Sequence, residues 1–200
     1  MRLGLLADIH EHVDLLQIAL DRFRSERVDC VIVLGDVYQS GEALDETCRL
    51  LAEANAIGVW GNHDFGLCGD DADENPRFSR DSLRFLRSLL PRLALGDCHF
   101  MHVEPWLNPE DISDLWYFEG PPDVTGTLPR IFDATPHRIL FSGHYHKWLL
   151  ATPDGIADWV GHRTVILDSG RRFVTVGALC ERRYATFNTT TSELRPYNER

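Results

Sequence analysis

Four short patches of the chain are spelled almost wholly in residues able to bind a metal ion: Asp8-Ile9-His10, Gly35-Asp36, Gly61-Asn62-His63-Asp64 and Gly143-His144-Tyr145-His146. Mixed carboxylate, imidazole and amide donors suit hard or borderline divalent ions such as Mn, Fe or Zn, not a thiolate-seeking site. The donors outnumber what one tetrahedral ion needs, and they suit two ions about 3.5–4 Å apart that share a carboxylate. Such a centre does hydrolysis well: each ion lowers the pKa of a bound water, and the pair clamps a phosphoryl group during in-line displacement. A histidine beside the ions can hand a proton to the leaving oxygen. If the segments are extended, Asp8 with His10, and His144 with His146, each point to one side.

Three of the patches directly follow an apolar run, and ligands in α/β proteins gather at the carboxyl ends of strands. Leu3 to Ala7 predicts a first strand. Val13, Leu16, Ala19, Leu20 and Phe23 recur at helical spacing and predict a helix over 11–25. Cys30 to Leu34 is a continuous β-branched run, the signature of a strand buried on both faces. A second helix over 42–55 and a strand at 57–60 complete units of βαβ size. Residues 66–77 read as an acidic loop, and Ser79 to Leu90 as a helix burying Leu83, Leu86 and Leu90, stopped by Pro91.

The second half changes to short apolar runs: Leu93 to Leu95, Cys98 to Met101, Arg138 to Phe141, Trp148 to Ala151, Thr164 to Leu167, Phe173 to Val176 and Tyr184 to Phe187. Turn signals at Pro153-Asp154-Gly155 and Ser169-Gly170 separate several of them. Between Glu104 and Pro136 lies a Pro- and aromatic-rich stretch with Trp106, Trp116, Tyr117 and Phe118. These aromatics could wall a substrate pocket, fill space under a loop or form a subunit interface, so a homo-oligomer stays open.

Two hundred residues suffice for one domain with a substantial core, and no boundary divides 1–200. No apolar run approaches a membrane span. Asp8 and His10 interrupt the apolar start too early for a signal peptide, so a cytoplasmic protein is expected. Cys30, Cys48, Cys68, Cys98 and Cys180 are scattered, without a Cys-x-x-Cys pair, and are read as incidental thiols rather than ligands. The net charge is -11 and Lys147 is the only lysine, which argues against extended nucleic acid as a partner.

The order Asp-x-His, Gly-Asp, Gly-Asn-His-Asp, a later histidine and Gly-His-x-His resembles the calcineurin-like metallophosphoesterases, in their compact bacterial and archaeal form, over residues 3 to about 188. The resemblance implies an α/β fold, a four-layer αββα sandwich of two mixed β-sheets flanked by helices. It implies that Asp8, His10, Asp36 and His146 hold one ion and that Asp36, Asn62, His102 and His144 hold the other, with Asp36 bridging. His63 is then the general acid or transition-state donor and not a ligand.

The implied activity is hydrolysis of a small phosphodiester or phosphomonoester, diesters preferred, by a hydroxide that bridges two divalent ions. Manganese leads for those ions, with Fe, Zn or Ni as alternatives. Rival readings are a metal-binding scaffold on the same fold and, more weakly, a nuclease.

The chain departs from the family pattern twice. His102 is followed by Val103-Glu104-Pro105 where relatives carry glycine, and His99 competes for its place. His102 is preferred because it ends its apolar run as the other ligands do. Glu11-His12 stands where relatives have small residues, and His12 is expected at the surface. Asp64 is expected to orient a ligand or form a turn. His137 and His162 are read as surface residues, and Lys147 as pointing away from His146. Arg80, Arg171, Arg172, Arg182 and Arg183 could clamp phosphate, and the sequence selects none of them.

Overall fold

Alternation of apolar side chains sorts the strands' residues between two faces, and the two faces define the layers. The computed structural model describes residues 1–69, 76–117 and 119–199. Its first part alternates β1 (Arg2–Leu6), α1 (Val13–Ser25), β2 (Cys30–Leu34), α2 (Leu44–Glu53), β3 (Ile57–Val59) and α3 (Arg80–Arg87). There follow β4 (Leu93–Leu95), β5 (Cys98–Met101), three short helices α4 (Ile112–Leu115), α5 (Pro122–Thr125) and α6 (Leu128–Asp133), and β6 (Ile139–Ser142). The chain ends with β7 (Leu149–Thr152), β8 (Gly155–Ile156), β9 (Val165–Ile166), β10 (Arg172–Thr175), a 3-10 turn (Leu179–Glu181), β11 (Arg183–Asn188) and β12 (Glu193–Asn198).

One sheet runs β3-β2-β1-β11-β12-β9, with β1, β2 and β3 parallel and the rest antiparallel. The other runs β4-β5-β6-β10-β7-β8, with β5, β6 and β10 parallel. Leu3, Leu5, Ile32 and Leu34 of the first sheet pack against Phe100, Ile139, Phe141 and Val174 of the second, forming the central core. Alternate residues turn outward: Leu6, Val31 and Val33 meet Leu16, Leu20 and Leu51 of α1 and α2. On the far side, Met101, Leu140 and Phe173 meet Ile131 and Phe132 of α6. The result is the four-layer αββα sandwich of two mixed sheets that the motif order implies.

Some elements differ from the sequence reading. α3 stops at Arg87, and Leu90 leaves the helix to bridge β3, its N–H donating to the Gly58 carbonyl at 3.0 Å. Clash with the following Pro91 ring disfavours helical backbone at Leu90, which is 46% exposed and not on a buried face. β12 carries Pro196 between two neighbouring strands and has no apolar run, so it left no strand signal. The helices within 104–136 are too short to show a 3.6-residue period. Residues 70–75 of the acidic loop, and Phe118, lie outside the described residues. Among the described residues no helix is long and apolar enough to cross a membrane.

His99 faces the outer layer, opposite to Phe100, and packs on His137 with ring centroids 4.6 Å apart. His137 is therefore half-buried rather than a plain surface residue, and Thr135 Oγ1 lies 2.8 Å from its Nδ1. His162 is exposed, as read. Burial, with His137 and Arg92 adding to it, pulls the His99 pKa from 6.5 down to about 4. A histidine whose pKa falls on folding binds its proton more readily in the unfolded chain, so stability is lost as pH drops through this window. His99→Gln should therefore flatten the decline of the thermal midpoint between about pH 6.5 and pH 4. An unchanged slope would contradict this assignment.

Candidate metal centre

The five ligand-bearing segments all leave the carboxyl ends of parallel strands. Asp8 and His10 follow β1, Asp36 follows β2, Asn62 and His63 follow β3, His102 follows β5, and His144 and His146 follow β6. The central core thus ends in a seam where both sheets deliver polar side chains to one place.

The paired ligands do not use extended alternation. Asp8, His10, Glu11, Asp36, His144 and His146 all have left-handed backbone, with φ between 46° and 74°. β1, β2 and β6 thus kink sharply as they end, and such strain persists only where the surroundings over-determine it. Here they do: Asp8 N–H donates to the Gly35 carbonyl (3.1 Å), His10 N–H to that of Asp36 (2.9 Å) and Glu11 N–H to that of Val37 (3.1 Å). Glycine is required where the loops close. A Cβ on Gly35 would land on the His102 ring, and one on Gly61 would land on the Asp36 carboxylate.

The donors form two groups that meet at Asp36. In the first, His10 Nε2 lies 3.7 Å from Asp36 Oδ2 and 3.3 Å from His146 Nε2, and His146 Nε2 is 3.7 Å from Asp8 Oδ1. In the second, Asn62 Oδ1 lies 2.9 Å from His102 Nε2 and 3.1 Å from His144 Nδ1, and His102 Nε2 is 3.4 Å from Asp36 Oδ2. Asp8, Asp36 and His102 each place a donor atom within 4.8 Å of the other two. His99 is on the other face of its sheet and takes no part.

His102 Nδ1 donates to the Leu34 carbonyl at 2.7 Å, and His10 Nδ1 to that of Tyr38 at 3.4 Å, which turns each Nε2 inward. On the far side of His146, Nδ1 faces Glu181 Oε1 at 3.5 Å and Cys180 Sγ at 3.8 Å. Two inward imidazole nitrogens at 3.3 Å, beside buried carboxylates, are the arrangement a cation relieves; the residues fit divalent metal.

The charges explain why the cluster wants a cation. Burial, with Asp36 adding repulsion, pushes Asp8 up to about 8. Burial also opposes ionisation of Asp36, yet His102 beside it and the His63 N–H hold that carboxyl well below the usual range. Burial works against the His102 cation too, but Asp36 wins and raises it to about 9. His144 is pushed down to about 3 by burial and by the neighbouring His102 charge. Cys180 is driven up to about 12, first by burial, yet its Sγ lies within 4.8 Å of a donor atom of His10 and of His146, so geometry alone allows it too to reach an ion.

His63 stands apart. Its backbone N–H donates to Asp36 Oδ1 at 2.9 Å, while its half-buried ring sits edge-on to His10 at 4.8 Å. The ring also meets that of Trp116, tilted, with centroids 5.1 Å apart. Proximity also groups His63 with His10 and Asp36, so geometry alone allows it to reach an ion.

Several residues support the site through partners far away in the sequence, Asp64 among them, for which the sequence predicts a ligand-orienting or turn-forming part. Glu11 accepts N–H bonds from Gln39, Ser40, Gly41 and Ala43, tying the loop after Asp36. Asp64 is fully buried and accepts from Val37 and Tyr38 (2.9 and 2.8 Å) through Oδ1 and from Gly61 (2.9 Å) through Oδ2. Arg183 holds Glu181 at 2.9 Å and donates to the His146 carbonyl at 3.1 Å. Lys147 bonds Asp123 at 2.6 Å, fastening α5 to the Gly-His-Tyr-His loop. Of the other arginines named as phosphate clamps, Arg171 instead donates to the carbonyls of Phe132, Thr135 and His137. His12 is exposed, as expected.

Comparison with known proteins places these features in a family. The model of the calcineurin-like phosphoesterase superfamily domain matches residues 1–192. A metallophosphoesterase from Sphaerobacter thermophilus superposes with a TM-score of 0.80 at 22% identity, covering 100% of this chain and 89% of that one. An archaeal phosphodiesterase superposes with a TM-score of 0.58 at 15% identity, covering 98% of each chain. An uncharacterised protein of Methanocaldococcus jannaschii is 27% identical over 70 residues, which is 35% of this chain and 29% of the relative.

Asp64 supplies a direct stability test. Asp64→Ala leaves three backbone N–H groups without their acceptor and should cost about 2 kcal/mol or more in urea unfolding. Asp64→Asn keeps an acceptor for Val37 and Tyr38 and should cost less. Equal stability of all three proteins would rule out the clamp.

Proposed function

This chain belongs to the calcineurin-like phosphoesterase superfamily, and from that premise we propose that it hydrolyses small phosphoesters, preferring diesters, at a pair of divalent ions. Metal-dependent phosphoester hydrolysis is the activity the family supports. The observation that carries the finer reading is the pair of donor groups joined at Asp36.

Asp8, His10, Asp36 and His146 would hold one ion, and Asp36, Asn62, His102 and His144 the other. When bound, the ions acidify water and neutralise charge on the phosphoryl oxygens. Manganese suits the mixture of oxygen and imidazole donors, and Fe, Zn and Ni are the competing occupants. The chain's own residues do the rest. Glu181, braced by Arg183, steadies the His146 ring from behind. The Asn62 amide oxygen faces His102 and His144, fixing the turn that carries His63. His63, at the rim and partly open to solvent, holds the proton that the leaving oxygen takes.

The preference for diesters rests on charge. A monoester brings a dianion, while Lys147 and Arg183, the cations bonded at the His146 loop, are already paired with Asp123 and Glu181. A singly charged diester asks less of such a site.

Protein reconstituted with Mn should hydrolyse an aryl phosphodiester faster than the matching monoester. Asp36→Asn should lose metal and activity together. His63→Ala should keep its metal and lose turnover by about 10²–10⁴-fold. Hydrolysis of neither ester by the fully loaded protein would sink the proposal.

A further inference from the structure

Trp116 is 54% exposed, although its ring lies 5.1 Å from that of His63. A single exposed aromatic needs no explanation in itself; what sets Trp116 apart is that its ring lies against that of His63, at the rim of the donor cluster. The segment holding it is firmly built. Trp60 Nε1 donates to the Pro109 carbonyl at 2.9 Å, and Arg92 donates to that of Pro105 at 2.9 Å. Asp111 caps α4 through the Ser113 N–H at 2.8 Å, Asp114 accepts from Asn108 N–H at 2.7 Å, and Leu115 is completely buried. Trp116 N–H closes the turn on the Ile112 carbonyl at 3.0 Å. The backbone is fixed, and the side chain is left presented.

We infer that Trp116 is the leaving-group platform of the site, selecting phosphoesters whose departing alcohol carries a flat aromatic ring, an aryl group or a nucleobase. The inference rests on the phosphoesterase reading above. In that reaction a water oxygen, having shed one proton to solvent, bonds to phosphorus as the P–O bond to the leaving oxygen breaks. The electron pair of that bond stays on the leaving oxygen, which takes the proton from His63. Whatever is attached to that oxygen is thereby brought against the neighbour of His63, and that neighbour is Trp116. Stacking therefore acts on the departing group rather than on the second ester arm. Aromatic stacking tolerates many ring types, because every ring offers a π-face.

The test compares two methyl diesters on the Mn-loaded protein, one with a 4-nitrophenyl and one with a 2,2,2-trifluoroethyl leaving group, in wild type, Trp116→Ala and Trp116→Phe. Metal content and thermal midpoint are measured alongside. The inference expects Trp116→Ala to lower the aryl-to-alkyl ratio of kcat/KM by about tenfold or more, and Trp116→Phe to restore most of it. An equal fall for both esters would assign Trp116 to steadying His63 and overturn the platform, as would no fall at all. If wild type hydrolyses neither ester, the phosphoesterase reading itself fails. Activity in wild type with an unchanged ratio in Trp116→Ala removes only the platform.

Discussion

Asp8, Asp36 and Asp64 are 0%, 3% and 0% exposed and share one end of the sandwich, so the molecule has buried three carboxylates within mutual repulsion. Desolvation of like charges at such a spacing is strongly unfavourable unless positive charge is supplied. His102 supplies some of it, and Asp36 stays ionised at the expense of Asp8 and Asp64, whose pKa values rise to about 8 and about 7. A divalent pair, as proposed, would be the larger compensation. Much of the surrounding structure serves to hold this arrangement in place: the kinked strand ends, the glycines under His102 and Asp36, and the N–H donors aimed at Glu11 and Asp64.

The kinks aim the donor groups, and the strain they carry must be offset by the surrounding structure. Left-handed backbone at Asp8, His10, Asp36, His144 and His146 turns these donor side chains back over the strand ends instead of letting them fan out along the sheet. Cross-links between consecutive loops resist relaxation of that strain. The turn over 179–181 adds another, donating from Leu179 to the Ala7 carbonyl at 2.7 Å and from Cys180 to that of Asp8 at 3.1 Å. Both sheets must be docked before the donor set is complete, so metal bound there would be coupled to sheet packing.

Much of this was legible in the chain because its signals are local. Apolar runs marked most strands, and ligand-type residues directly after them marked the seam. What stayed hidden acts across long separations. Glu11 and the backbone of 39–43, Asp64 and 37–38, and Glu181 with His146 pair residues that no short motif connects. Left-handed conformation at an aspartate or histidine has no compositional mark, as it would at glycine. The i, i+2 rule therefore predicted ligands on one side for a reason the backbone does not use. Pro196 masked β12, which lies between β11 and β9 with half its residues unremarkable in polarity.

The central claim is that two ions share the Asp36 carboxylate. Electron paramagnetic resonance of protein titrated with Mn, with metal content measured on the same samples, addresses it most directly. The account predicts two ions per chain and a spin-coupled spectrum at saturation, and in Asp36→Asn a loss of bound metal, with only the intense signal of unbound, uncoupled Mn. A single isolated ion per chain, or two ions without coupling, would contradict it.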